Sequence, residues 1–166
     1  MKNNTNKLVT LAVIVSVAMI LSFVEARLPT FVPIPGVKLG LANVAVIFTV
    51  YKLGYPEAIS VSFVRVCLSA LLFGSAVSLI YSLTGAIFSF LTMLFLKELI
   101  KMHTVGVSIA GGVLHNVGQI IAASVIMGTD AVLYYLPYLI ISGVLAGIAV
   151  GLLSNMLIHR IKVQKK

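Results

Sequence analysis

The chain has little charge, less acid and almost no cysteine. Charged residues make up 10% of its 166 positions and only four are acidic, where a soluble domain carries about 25% charged residues. Cys67 is the single cysteine, so no intrachain disulfide and no cysteine metal cluster can form. Within an apolar run it reads as a small packing residue. No two of the four acids, Glu25, Glu57, Glu98 and Asp130, are grouped, which excludes an aspartate-rich site for diphosphate and magnesium. No Gly-x-x-x-x-Gly-Lys-Ser/Thr string occurs, so ATP is not held by a P-loop. His103 and His159 lie at the inner ends of their runs, far in depth from His115, which argues against a metal cluster. With no activated serine or cysteine arrangement either, the sequence reads as a non-enzyme that needs no cofactor or metal. No polar linker or low-complexity stretch divides it, so residues 1–166 read as one domain.

What is present is hydrocarbon, at 60% of residues and a mean hydropathy of +1.15. It is organised as six apolar runs: Leu8–Val24, Leu39–Tyr51, Ala58–Phe73, Ala76–Leu96, Thr104–Met127 and Ala131–Ile158, with Arg65 the one ionised interruption. Since about 20 residues span a bilayer as a helix, the expected fold is an all-α membrane protein, a six-transmembrane-helix bundle. The second run is short, which points to tilt or local thinning. Leu8–Val24 has 17 residues, longer than the 7–15 of a signal-peptide core, and is expected to remain as a helix.

The net charge of +8 is a topology signal. With the N-terminus in the cytoplasm, Lys2, Lys7, Lys52, Lys97, Lys101, Arg160, Lys162, Lys165 and Lys166 face inward, while Arg27 and Lys38 face outward. Nine against two obeys the positive-inside rule, puts both termini in the cytoplasm, and leaves no basic patch for nucleic acid. Anionic membrane lipid is the partner that this charge suits.

Polar residues inside apolar runs need a reason, because each must find a partner or cost free energy. Arg65 shares a face with Ser62 and Ser69. In the fifth run, Gly111-Gly112-Val113-Leu114-His115-Asn116-Val117-Gly118-Gln119 places three polar side chains among three glycines, with Gly111, His115, Gln119 and Ala122 on one face. His115 alone reads as a hydrogen-bonded structural histidine. Taken with Asn116, Gln119 and Arg65, it reads as a ligand site. Ser78, Ser82, Gly85, Ser89 and Thr92 form a stripe in the fourth run, and Gly143, Gly147 and Gly151 a ladder for close helix packing in the sixth. Tyr134, Tyr135 and Tyr138 suit an interfacial aromatic belt or stacking on a planar ligand. Ala12 and Ser16, like Ala18 and Ser22, have the four-residue spacing that admits a close helix, either within the bundle or as a docking face for a partner.

Between the first two runs, Glu25–Lys38 holds three prolines and a glycine among apolar residues, so no regular helix is expected there. It reads as a structured connector or as a lid over an outward-opening pocket, with Arg27, Pro33, Pro35 and Gly36 as gating residues. No acid is expected inside a helix core. Arg65 is therefore left to backbone carbonyls or to a ligand rich in acceptor oxygens.

Two strings, Pro-Gly-Val-Lys-Leu-Gly-Leu-Ala-Asn at 35–43 and Gly-Gly-Val-Leu-His-Asn-Val-Gly-Gln at 111–119, together with the six runs, resemble the bacterial membrane family labelled heptaprenyl diphosphate synthase component I, or Gx transporter family. The wider group is similar to the substrate-binding S-components of energy-coupling factor (ECF) vitamin transporters. That resemblance implies a six-helix protein of the bacterial cytoplasmic membrane that binds a small cofactor or precursor. It implies a capping loop at Glu25–Lys38, and docking through Ala12 and Ser16 on a transmembrane coupling protein driven by two ATPases, with serine at 16 where alanine is typical. The ligand is then expected at Lys38, Asn43, Arg65, His115, Asn116 and Gln119. The family label implies instead a membrane subunit supporting isoprenoid or quinone metabolism. Some relatives resemble members of flavin-based extracellular electron-transfer systems, which implies a quinone or redox partner.

Overall fold

The structure, a computed structural model, describes residues 2–27 and 40–161. Its elements are α1 (Lys2–Arg27), α2 (Asn43–Lys52), α3 (Tyr55–Phe73), α4 (Ala76–Glu98), α5 (Thr104–Met127), a 3-10 turn at Asp130–Tyr135, and α6 (Leu136–Arg160). Among the described residues five helices are long and apolar enough to cross a membrane, so the chain reads as an all-helical multi-pass membrane protein.

The expectation of six spans is met for five. The second run yields only the ten residues of α2, about 15 Å at 1.5 Å per residue, half of a hydrocarbon core of about 30 Å. Gly40 (φ +88°) and Gly54 (φ +128°) bracket it. These dihedrals suit glycine and not side-chain-bearing residues, so the chain turns at both places. Every residue from Asn43 to Val50 is buried, which is where a helix apolar on all sides belongs. α2 is enclosed by α1, α3 and α6. The last run also divides. The 3-10 turn takes Tyr134 and Tyr135, and α6 begins at Leu136 with Pro137 in its first turn, where a missing N–H costs nothing.

The long helices are inside out by soluble standards. Val13, Ile20, Phe63, Leu71, Leu91 and Leu145 are exposed, while Ser78, Ser89, Ser108, His115, Asn116, Gln119 and Ser154 are buried. This is the arrangement expected where lipid solvates apolar faces and polar and small residues turn inward.

α5 is clasped between α4 and α6 by glycines. A Cβ on Gly118 would lie 3.0 Å from the Gly85 Cα, and one on Gly143 would lie 2.9 Å from the Val113 Cα. The ladder expected in the sixth run is thus the seam between α6 and α5.

The two small-residue pairs on α1 have separate fates. Ala18 and Ser22 are buried in the bundle, whereas Ala12 and Ser16 are exposed, with the Ser16 hydroxyl donating to the Ala12 carbonyl at 2.9 Å.

One end of the bundle is polar and basic. Lys7 pairs with Glu57, joining the starts of α1 and α3. The Tyr55 hydroxyl donates to Glu98. Lys97 lies 5.0 Å and 4.4 Å from the Tyr51 and Tyr55 ring centroids and donates to the Val50 carbonyl at 3.2 Å, capping the carbonyl end of α2. Replacing Lys97 with Met is expected to lower stability by about 1–2 kcal/mol, from one charge-assisted bond and two partly shielded cation–π contacts. Thermal unfolding in detergent measures it, and an unchanged midpoint would mean the cluster is decorative.

Candidate functional site

The short α2 starts in the middle of the bundle. Asn43, its first residue, meets Arg65 ten residues into α3, about 15 Å from that helix's start. The Arg65 Nη2 donates to Asn43 Oδ1 at 3.4 Å. Arg65 is 7% exposed and its Nε has no hydrogen-bond partner among the described residues. The expected face is present: Ser69 is buried with Arg65, and Ser62 is half-buried.

Glu25 corrects one expectation. The sequence places it in an outer loop, with no acid inside a helix. In the structure it belongs to the last turns of α1, is buried at 6% exposure, and accepts the Gly40 N–H. Its charge also reaches Arg65, although the two form no ion pair within 4.0 Å. The signal that could have found it was the uninterrupted helical reading through Val24-Glu25-Ala26, which the prolines beyond obscured.

A second polar group lies on α5 against α4. His115 is eleven residues from the start of α5, at a depth similar to that of Arg65 on α3. A Cβ on Gly85 of α4 would fall 2.7 Å from the His115 carbonyl oxygen, 3.0 Å from its Cε1 and 2.9 Å from the Gln119 Cγ. Glycine at 85 is what lets these two side chains fit. Gln119 is fully buried, and neither its Oε1 nor its Nε2 has a partner among the described residues. Asn116 turns the other way, toward α6. Its Nδ2 donates to the Leu139 carbonyl at 2.8 Å, and its Oδ1 is unmatched.

Beside Asn43 lies a cavity of about 10 Å3, lined by Gly40 and Asn43, by Ser89 and Met93 of α4, by Ser108, Gly111 and Gly112 of α5, and by Gly147 and Val150 of α6, but not by Arg65, His115, Asn116 or Gln119. That is room for about one water. Ser108 contributes another unmatched hydroxyl.

Of the residues singled out from sequence, the structure joins Asn43 to Arg65 and sets His115 beside Gln119. Asn116 anchors α5 to α6. Lys38, Pro33, Pro35 and Gly36 lie outside the described residues. Arg27 ends α1, exposed, with its guanidinium 5.1 Å from the Phe23 ring centroid. Among the described residues no group of three metal-ligating side chains occurs. His103 instead caps the start of α5, accepting the Val105 N–H through Nδ1 at 3.5 Å. Among the described residues the arrangement offers buried hydrogen-bond donors and acceptors.

No curated protein and no solved structure matches the chain. A family model described as heptaprenyl diphosphate synthase component I matches residues 14–157, which takes in every helix that builds the cavity and both polar groups. The chain belongs to the heptaprenyl diphosphate synthase component I family.

Proposed function

We propose that this protein is the ligand-binding membrane subunit of an uptake complex, working as an S-component does for a small cofactor or precursor, and that it catalyses no reaction itself. One observation carries the reading: four buried polar side chains within the bundle hold unmatched atoms, and one of them, Ser108, lines the glycine-walled cavity. Arg65 Nε, Ser108 Oγ, Asn116 Oδ1 and both amide atoms of Gln119 have no partner among the described residues. Such groups cost about 1–3 kcal/mol each when left unpaired, and intramembrane polar residues mark substrate sites. In this reading the basic end faces the cytoplasm by the positive-inside rule. The ligand arrives from the opposite side, where Arg27 ends α1; Pro33, Pro35, Gly36 and Lys38, which come next in sequence, are proposed to gate and meet it. The exposed Ala12 and Ser16 offer a partner helix close approach.

A second reading starts from the family description. A "component I" implies a partner subunit, here a prenyl-transfer or quinone-linked protein that this chain would anchor in the membrane.

Affinity purification from native membrane in mild detergent, followed by mass spectrometry of proteins and small molecules, separates the two. A transmembrane coupling protein with two ATPases and a retained small molecule is the expected result. A prenyl-transfer or redox partner with no ATPase would replace the uptake reading with the second. Arg65→Ala and His115→Ala are each expected to lose the retained molecule at least tenfold while keeping the elution profile of the folded bundle. If both variants retain it at wild-type level, the site is elsewhere.

A further inference from the structure

We infer that the start of α2 seats an anionic oxygen group of the ligand, a phosphate or a carboxylate, gripped by the Arg65 guanidinium with Asn43 beside it. This rests on the ligand-binding reading above and adds the chemical class of the group bound.

A guanidinium has five N–H donors and does not lose its charge. Arg65 is more than nine-tenths buried, yet among the described residues it makes one long hydrogen bond of 3.4 Å, leaves Nε unmatched and forms no ion pair. A buried charge kept so poorly partnered is expensive, and the acid whose charge reaches it, Glu25, has an oxygen committed to the Gly40 N–H. The site therefore has donor capacity to spare.

Three features favour an anion over a neutral acceptor. The guanidinium fork matches the paired oxygens of carboxylate and phosphate. α2 points its positive end at this spot, halfway through the bundle, and no side chain caps it; short helices ending inside a membrane hold anionic groups in this way. Its first three N–H groups are spent on the carbonyls of Gly40, Leu41 and Ala42, so the helix supplies field while Arg65 and the Asn43 amide supply donors. The third is the Asn43 amide itself, which has its place because Gly40 carries no Cβ; one there would come within 2.9 Å of Asn43 Nδ2. The adjoining cavity holds about one water, so binding must widen it.

The test uses the full chain in phosphatidylcholine nanodiscs, with sodium diphosphate as probe and sodium chloride of matched ionic strength as control. Diphosphate at millimolar concentration is expected to raise the unfolding midpoint of the wild type by several degrees. Arg65→Gln should abolish the shift, Arg65→Lys should keep part of it, and Asn43→Ala should weaken apparent affinity about tenfold. The Lys variant, which retains the charge, separates loss of binding from loss of fold. A parallel set in discs containing phosphatidylglycerol distinguishes the source. Blunting of the diphosphate shift by that lipid, with more of it retained by wild type than by Arg65→Gln, would identify a lipid headgroup as the anion. No response of the wild type to either anion, or an equal response in Arg65→Gln, overturns the inference. A neutral molecule retained from native membrane alongside no anion response would sink this site and leave the ligand-binding reading standing. An Arg65-dependent anion response with nothing retained would do the reverse.

Discussion

Gly147→Val is expected to destabilise the bundle by about 3 kcal/mol, the upper end of what overpacking costs. A Cβ at this position would lie 2.6 Å from the Ile109 Cα, 3.0 Å from the Ser108 carbonyl oxygen and 3.1 Å from the Ile109 nitrogen. All three are backbone atoms of α5, so no rotamer change relieves the collision and α6 has to move away from α5 as a body. Movement there opens the cavity wall that Gly147 forms with Gly112 and Val150, so binding falls with stability. Gly106→Ala is the matched control. Its Cβ would come equally close, 2.6 Å, but to the sulfur of Met102, the far end of a flexible side chain. That change is expected to be neutral or to stabilise by up to about 1 kcal/mol through helix propensity. Reversible unfolding of the two variants in mixed detergent micelles reads the difference. Equal stabilities would mean that the α5–α6 seam is not as tight as the structure draws it.

Gln119→Leu is expected to act in opposite directions on stability and on binding. The side chain is fully buried with both amide atoms unmatched among the described residues. Replacing it with an apolar side chain of similar size removes that penalty and is expected to add about 1–3 kcal/mol of stability without ligand. The same change removes a donor and an acceptor from the proposed site, and should weaken ligand retention tenfold or more, the equivalent of about 1.4 kcal/mol. Unfolding midpoints together with quantification of the co-purified molecule test both halves. A destabilised Gln119→Leu would mean the amide is structural, and a stabilised variant with unchanged retention would remove Gln119 from the site. Stability surrendered at a polar core position is the usual mark of function, which is why the paired readout is more informative than either alone.

Sequence by itself determined that the chain is helical and apolar, with runs long enough to cross a membrane, because hydrocarbon runs in a bilayer have no other way to satisfy their backbone. It also singled out Arg65, His115, Asn116 and Gln119, since a polar residue in such a run must be turned inward, as all four are. The glycine ladder at 143, 147 and 151 was legible for the same reason: four-residue spacing lines up one face of a helix. Tertiary structure decided the rest. Leu39–Tyr51 looks like a short span, but only its contacts show that α2 runs half-way and starts against Arg65; hydropathy records how apolar a run is and not the depth at which it turns. Partner choice was equally hidden. Asn116 and Gln119 are three residues apart, yet one reaches α6 and the other lies against α4, because a rotation of about 300° leaves neighbouring polar residues facing different helices. Glu25 was missed because burial comes from what packs around a residue. A carboxylate at a helix end reads as solvated until the fold brings the Gly40 N–H to it and encloses both.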